Sequence, residues 1–412
     1  MQIVYYKTGI AIFFSIVVVL VLYKSIFFDK LENKFPKLFF GLAFFFCRLL
    51  PFGLIYLVAK FEAHSDVPMF YFAAKDALAL KFVYKDFQTA YQPLFPYITA
   101  LPLLFWNKAE AIILEMIVIE GVIVHFSKIL LHQTAKGSIT LTYFLLPAPF
   151  VLSVLGGQED IWMWGFVVAM LWLNKFQKSE FWIGIIAGLG LITSKVVLIL
   201  IIIPLFFYSN NKKKYILGLI SIGIPTLLIL ITFSGFGFLE IINQANDPRT
   251  PNLWSILNPF FDVYSNIGIK TLNNIGLLSC LMLGIGLVTL NRENQNFKSL
   301  ITKLWICVFL WFMIIQQSSL ANYVYIFILP LWYVYNQQKN SFILVVILLL
   351  NILVVVQPAI WWHLNMPIIT QSDLSNSFQH LIEYLLEIVI VSLLGIILLN
   401  QLKIKNKEPK IC

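Results

Sequence analysis

The chain has 412 residues, of which 60% are hydrophobic, 16% aromatic and only 12% charged. Soluble domains carry about 25% charged residues, so a chain this long and this poor in charge lacks the polar surface to enclose soluble domains. Lysine plus arginine exceed aspartate plus glutamate by 29 − 20 = 9, but the excess falls in short patches between apolar runs. That placement suits loops lying against anionic headgroups and excludes nucleic acid as a partner.

The hydropathy pattern predicts an all-α polytopic membrane protein, a single integral membrane domain over 1–412. Long apolar runs occupy 8–28, 38–59, 109–130, 138–155, 215–233, 273–289, 301–317, 320–336, 341–357 and 379–399. Each approaches the ~20 residues that a helix needs to cross hydrocarbon. The first run, Gly9 to Phe28, is long for a signal-peptide core and has no small-residue cleavage pattern behind it, so it reads as a retained span. Three shorter runs lie at 93–106, at 160–174 and within 182–208, the last divided at Ser194-Lys195. A helix of about 12–14 residues covers only about 20 Å, so such pieces dip from one face or lean into a protein cavity. The expected total is about 13 transmembrane helices, some short or broken. Cys47, Cys280 and Cys307 fall inside apolar runs and Cys412 ends the chain, so no disulfide framework is expected.

Segments 24–37, 128–136, 175–180, 209–214, 291–303 and the tail from Gln401 are net positive. Segments 61–92, 156–160, 240–272 and 358–380 are net negative. Placing every basic segment in the cytoplasm puts all four acidic ones on the far side. Alternation between 93 and 155 then requires 93–106 to be re-entrant, or another boundary to move.

Four places carry chemistry. Asp66 follows the second span, two residues before Pro68, where it either caps a helix or holds a carboxylate at the bilayer surface to accept a proton. Gly156-Gly157-Gln158-Glu159-Asp160 packs two acids and an amide into one short turn. Glu159 and Asp160 either start the next helix or meet sugar hydroxyls, a divalent cation such as Mg or Mn, or an acceptor. Lys195, at the break between two half-helices, either snorkels or holds a phosphate. Arg48, inside the second span, needs a partner, for which Glu115 and Glu120 are candidates. Arg249, in an Asp-Pro-Arg turn, suits a phosphate or a carbohydrate, or is an ordinary loop arginine. The aromatic residues at Tyr323, Tyr325, Trp361 and Trp362 read as an interfacial belt. The chain has no GxSxG, HExxH, CxxC or GxxxxGK pattern, and its histidines are scattered.

Taken in order, these pieces form a series: Asp66 with Tyr71-Phe72-Ala73-Ala74, Tyr91-Gln92-Pro93-Leu94, Gly157-Gln158, Gly184 to Lys195, and Pro251 to Trp254. The series resembles the GT-C membrane glycosyltransferases, in particular the bacterial polyprenyl-phosphate-sugar-dependent branch that includes polyprenol mannosyltransferases. The likeness covers 50–260, which would be the catalytic module. Residues 273–400 would complete the lipid and acceptor groove. Two features depart from the family pattern: Gln92 stands before Pro93 where relatives often have proline, and the turn after Gly157-Gln158 is more acidic. Both bear on sugar identity and metal dependence.

The resemblance implies that Asp66 is the catalytic base and that Lys195 lies near the donor phosphate, with Arg249 a second cation. His64, Tyr71, Tyr91, Gln92, Gln158, Glu159 and Asp160 would contact substrate. The implied reaction is inverting transfer of a sugar, a hexose such as mannose, from a polyprenyl-phosphate carrier to a glycan or glycolipid acceptor. It would take place on the non-cytoplasmic face of a bacterial inner membrane. Two other classes fit the same residues. One is a lipid or solute transporter or flippase using Arg48, Glu115, Glu120 and Lys195 as pathway residues; the other is an outer-face glycan polymerase or ligase.

Overall fold

The computed structural model describes residues 2–131, 137–240, 247–292, 295–338 and 340–403. The expected Cys412 and parts of the loops at 128–136, 240–272 and 291–303 and of the C-terminal tail lie outside the described residues. Among the described residues the regular structure is helical, joined by loops and one isolated β-bridge between Val83 and Phe87. Seven helices are long and apolar enough to cross a membrane, or eight with one bent pair.

Helices α1 (Gln2–Tyr23) and α2 (Ser25–Lys34) divide the expected first span, which begins earlier than 8–28 and stops at Tyr23. Beyond Lys24 the charges of Asp29, Lys30, Glu32 and Lys34 alternate with apolar residues, giving a separate amphipathic helix. Helix α3 (Pro36–Val58) contains two π-helical stretches, Phe45–Leu49 and Gly53–Val58, on either side of Pro51. Proline donates no backbone bond, so the ladder shifts register around it and the carbonyl four residues earlier, Cys47, loses its usual donor. Arg48 Nη1 donates to that carbonyl at 3.0 Å.

Next come α4 (Val67–Leu78), the short α5 (Phe95–Leu104) and α6 (Ala109–Leu131). Helices α7 (Gly137–Leu145) and α8 (Pro147–Leu155) meet at a 61° bend. Leu146 is extended there, which breaks the helix before the two prolines 147 and 149. Arg48 Nη1 also donates to Phe144 O at this bend, at 2.7 Å. The guanidinium completes its contacts on Glu120, with Nε at 2.7 Å from Oε2 and Nη2 at 2.9 Å from Oε1. Tyr143 and Ser153 donate to the same carboxylate, at 3.1 and 2.7 Å. Of the two candidate partners, Glu120 is the one used, and Arg48 and Glu120 are both 0% exposed. The pair ties the break around Pro51 and the α7–α8 bend to α6.

Helices α9 (Ile161–Lys175), α10 (Glu180–Thr193), α11 (Val196–Tyr208) and α12 (Lys212–Ser234) follow. Helix α10 packs along α12 through small residues. A Cβ at Gly184 would lie 2.1 Å from Tyr215 O, and one at Gly218 would lie 2.0 Å from Phe181 O. The glycine-rich stretch is therefore a close helix–helix contact, as small residues allow in bilayers. The remaining helices are α13 (Leu253–Phe261), α14 (Val263–Ile267), α15 (Ile269–Asn291), α16 (Phe297–Ile315), α17 (Val324–Gln338), α18 (Ser341–His363), α19 (Gln371–Asn376) and α20 (Phe378–Lys403). Helix α16 is the central post: 83% of its apolar window is buried, against 11% for α12, which is peripheral.

Contacts between helix ends join several of the loops. Ser138 donates to Asp29, Lys128 pairs with Glu32, and Asn210 N donates to Glu180 at 2.9 Å. Arg292 reaches Asn210 Oδ1 at 3.0 Å. These are the basic segments. Elsewhere, Tyr71 donates to Asn107 Oδ1 at 3.1 Å, Tyr97 accepts from Val83 N at 3.1 Å, and Leu94 N donates to Ile192 O at 3.0 Å. Both ends of α5 thus contact the 61–92 segment or the helix it carries.

Candidate functional site

Asp66 occupies the N-cap position of α4, yet its side chain makes no capping bond. Its carboxylate instead accepts a hydrogen bond from Gln158 Nε2, at 3.1 Å to Oδ2, and the same amide reaches Ser65 Oγ at 3.2 Å. Gln158 follows Gly157, whose φ of +54° belongs to the left-handed region that glycine tolerates. A Cβ at Gly157 would lie 2.6 Å from Val67 Cγ2, so the turn also seats directly against the start of α4.

Asp160 is the N-cap residue of α9 and likewise makes no side-chain cap. Lys195 takes that carboxylate instead: its Nζ lies 2.5 Å from Asp160 Oδ1 and 3.0 Å from Glu159 Oε1. Lys195 sits at the apex of the α10–α11 hairpin, where Ser194 and Lys195 depart from helical geometry. Its ammonium lies 5.0 Å from the centre of the Tyr323 ring, a cation–π contact in a low-dielectric setting.

Tyr91 joins the two halves. Its hydroxyl is pushed up by burial first, then by the negative charges of Glu159 and Asp66, with Lys195 opposing. Its ring stacks on Phe95 at 4.6 Å and meets Phe70 edge-on at 4.8 Å. Burial also pushes the Glu159 carboxyl up to about 7, against the pull of Lys195 and with a further push from Asp160 and Asp66. Glu159 Oε2 and Asp160 Oδ2 are buried without a hydrogen-bond partner, so acceptor capacity remains open beside the lysine.

Arg249 is half-buried in the loop before α13, with its backbone N donating to Gln317 O at 2.9 Å. Among the described residues its guanidinium forms no ion pair. Tyr323 is within electrostatic reach of Lys195, Asp160, Arg249 and Glu159 together, which places the arginine at the rim of the cluster. The cations therefore differ in surroundings: Lys195 is paired with two carboxyl groups, and Arg249 forms no ion pair among the described residues.

The other expected contacts are dispersed. Tyr71 spends its hydroxyl on Asn107, His64 is exposed on the loop, and Gln92 is half-buried with its carbonyl accepting from Phe95 N at 3.0 Å. The Pro251 to Trp254 stretch builds a helix start: Asn252 and Ser255 form a capping box, and Trp254 Nε1 donates to Ile315 O at 2.6 Å. The expected aromatic belt needs correction at three residues. Tyr325 is 0% exposed and Trp361 only 3%, because Tyr325 faces the Arg48–Glu120 pair and Trp361 Nε1 bonds Pro367 O. Tyr323, also assigned to the belt, is instead a wall of the charged cluster.

Among the described residues no group of three or more His, Cys, Asp and Glu is arranged to hold a metal. At Glu159 and Asp160 the Lys195 ammonium supplies the positive charge that a divalent cation would bring. Comparison of the chain with protein-family models, with curated proteins and with solved structures gives no match.

Proposed function

We propose that this chain is a GT-C-type inverting glycosyltransferase that takes a sugar from a polyprenyl-phosphate carrier. It would pass through the membrane about 13 times, with the basic loops cytoplasmic and the Asp66 cluster at the opposite surface. The observation that supports the reading is the meeting of Asp66, Gln158, Tyr91, Glu159, Asp160 and Lys195 in one cluster.

In this mechanism the carbon–oxygen bond between the anomeric carbon and the carrier phosphate breaks, and its electron pair stays on the phosphate. The acceptor oxygen attacks from the opposite side, so configuration inverts, and its proton passes to Asp66. One base suffices, unlike the paired carboxyls of a retaining glycosidase. Gln158 holds the Asp66 carboxylate in place. Arg249 meets the departing phosphate, while Lys195 keeps Glu159 and Asp160 oriented towards sugar or acceptor hydroxyls.

The test is transfer of radiolabelled sugar from its polyprenyl carrier in purified protein. Asp66→Asn is expected to lower turnover by about 100-fold or more, the scale of a lost general base, with the melting temperature unchanged. Arg249→Ala is expected to weaken donor use, with partial recovery in Arg249→Lys. Wild-type turnover in Asp66→Asn, or label crossing the bilayer without forming a new bond, overturns the reading; the second result favours a transporter.

A further inference from the structure

A second polar cluster lies behind the Arg249 loop, separate from Asp66 and Lys195. Glu383 and Glu387 stand four residues apart on one face of α20 and are 0% and 1% exposed. Thr250 Oγ1 donates to Glu383 Oε1 at 3.3 Å, and Gln357 Nε2 donates to the same oxygen at 2.8 Å. Gln357 also reaches Thr250 Oγ1 at 2.9 Å, and Ser255 Oγ donates to Glu387 Oε2. Thr250 touches Glu387 as well, and the two carboxyl groups are in direct contact.

Among the described residues no Lys, Arg or His nitrogen lies within ion-pair distance of either one. His380, one turn earlier, acts on Glu383 only through space, and the Tyr264 and Tyr384 hydroxyls, the latter donating to Ile256 O at 2.8 Å, lie within electrostatic reach of Glu387 without charge. Two carboxylates buried together without a counter-charge are costly in a low-dielectric interior. A separate observation comes from Gln357, which is 1% exposed and whose Oε1 is buried without a partner. Glu383 Oε2 is also unpartnered.

The available donors are all oxygens: two carboxylates, two hydroxyls and an amide that presents its carbonyl when rotated. Such a set suits a hard cation, and two carboxylates balance a divalent charge. Calcium accepts six to eight oxygens in irregular geometry, whereas magnesium requires a regular octahedron and retains water. We propose that Glu383, Glu387, Thr250, Ser255 and Gln357 form a calcium-type site that ties the loop carrying Arg249 to α20.

The experiment uses the full chain purified in detergent. Equilibrium binding of radioactive calcium is expected to give one ion per chain, and EGTA is expected to lower the melting temperature until calcium is restored. Glu383→Gln and Glu387→Gln are each expected to weaken binding by at least about tenfold, the scale seen when a site loses an interaction around its ligands. Thr250→Val, which leaves both acids in place, is a milder check should those variants fail to fold. The proposal is overturned if wild-type protein retains no calcium, or if binding is unchanged in all three variants. It is also overturned if EGTA has no effect while infrared spectroscopy finds a protonated carboxyl that Glu387→Gln removes, since a shared proton then does the work.

Discussion

Gln158 connects to Asp66 across the joint between two helices that are remote in sequence, its amide Nε2 lying 3.1 Å from the carboxylate Oδ2. The residue that orients the proposed base thus belongs to the same turn as Glu159 and Asp160, so base and lysine-bound acids move together.

Gln158→Ala removes a hydrogen bond to a carboxylate, an interaction worth about 1.5–3 kcal/mol. Sugar transfer is expected to fall roughly 10- to 100-fold at that energy. Gln158→Glu, which adds a like charge beside Asp66, is expected to fall further and to recover as the pH is lowered. Steady-state kinetics across pH separate the two variants. Equal, pH-independent losses would mean that Gln158 is only a packing residue.

Glu159 provides a pH prediction with a definite sign. Its carboxyl is held near 7 in the folded chain against an ordinary value of 4.5. Between those values the native state keeps a proton that the unfolded chain has lost, so stability falls as pH rises through this window. Below 4.5 both states are protonated and the penalty vanishes. Glu159→Gln is expected to flatten the decline in melting temperature between about pH 4.5 and 7. A wild-type profile that rises over the same window would contradict the assignment.

Arg48 and Glu120 test the buried pair. Removing one partner leaves a fully buried charge, which costs about 3–5 kcal/mol, so Arg48→Met is expected to lower the melting temperature sharply. Combining it with Glu120→Gln is expected to restore much of the loss. The glutamine carbonyl can still accept from one of Tyr143 and Ser153, which donate to different oxygens of Glu120. If the double variant is no better than Arg48→Met, the bonds from Arg48 to the Cys47 and Phe144 carbonyls outweigh the ion pair.

Gly184→Ala places a methyl carbon 2.1 Å from the Tyr215 carbonyl. Helices α10 and α12 must separate, at the cost of roughly 1–3 kcal/mol typical of overpacking. A lower melting temperature with reduced transfer is expected. Gly223→Ala, where open space surrounds the added carbon, is the matched control on α12.

Much of this was legible because apolar runs of membrane length are unambiguous. The runs 109–130 and 215–233 reappear as helices at Ala109–Leu131 and Lys212–Ser234. The 93–106 run was harder to count because it folds as a short helix, Phe95–Leu104, below spanning length. What the sequence hid was partnership. Asp66 and Asp160 stand where caps stand, and only the fold reveals that Gln158 and Lys195 have taken their oxygens. Glu383 and Glu387 offered a signal that went unused: two acids at i and i+4 inside an apolar run must share one face and need company there. Tyr323 offered none, since its neighbour Lys195 is distant in the chain.

The hairpin that carries Lys195 has both feet held by one residue: Glu180 accepts from Ser209 Oγ and from the backbone of Asn210 and Asn211. Its first limb is 14 residues, about 21 Å at 1.5 Å per residue. The height of the ammonium above those feet is therefore fixed by protein, like a post of set length, and does not adjust to bilayer thickness. Lipids with longer or shorter tails would raise or lower the carrier's phosphate against an unmoving lysine, so acyl-chain length alone should tune turnover in reconstituted vesicles.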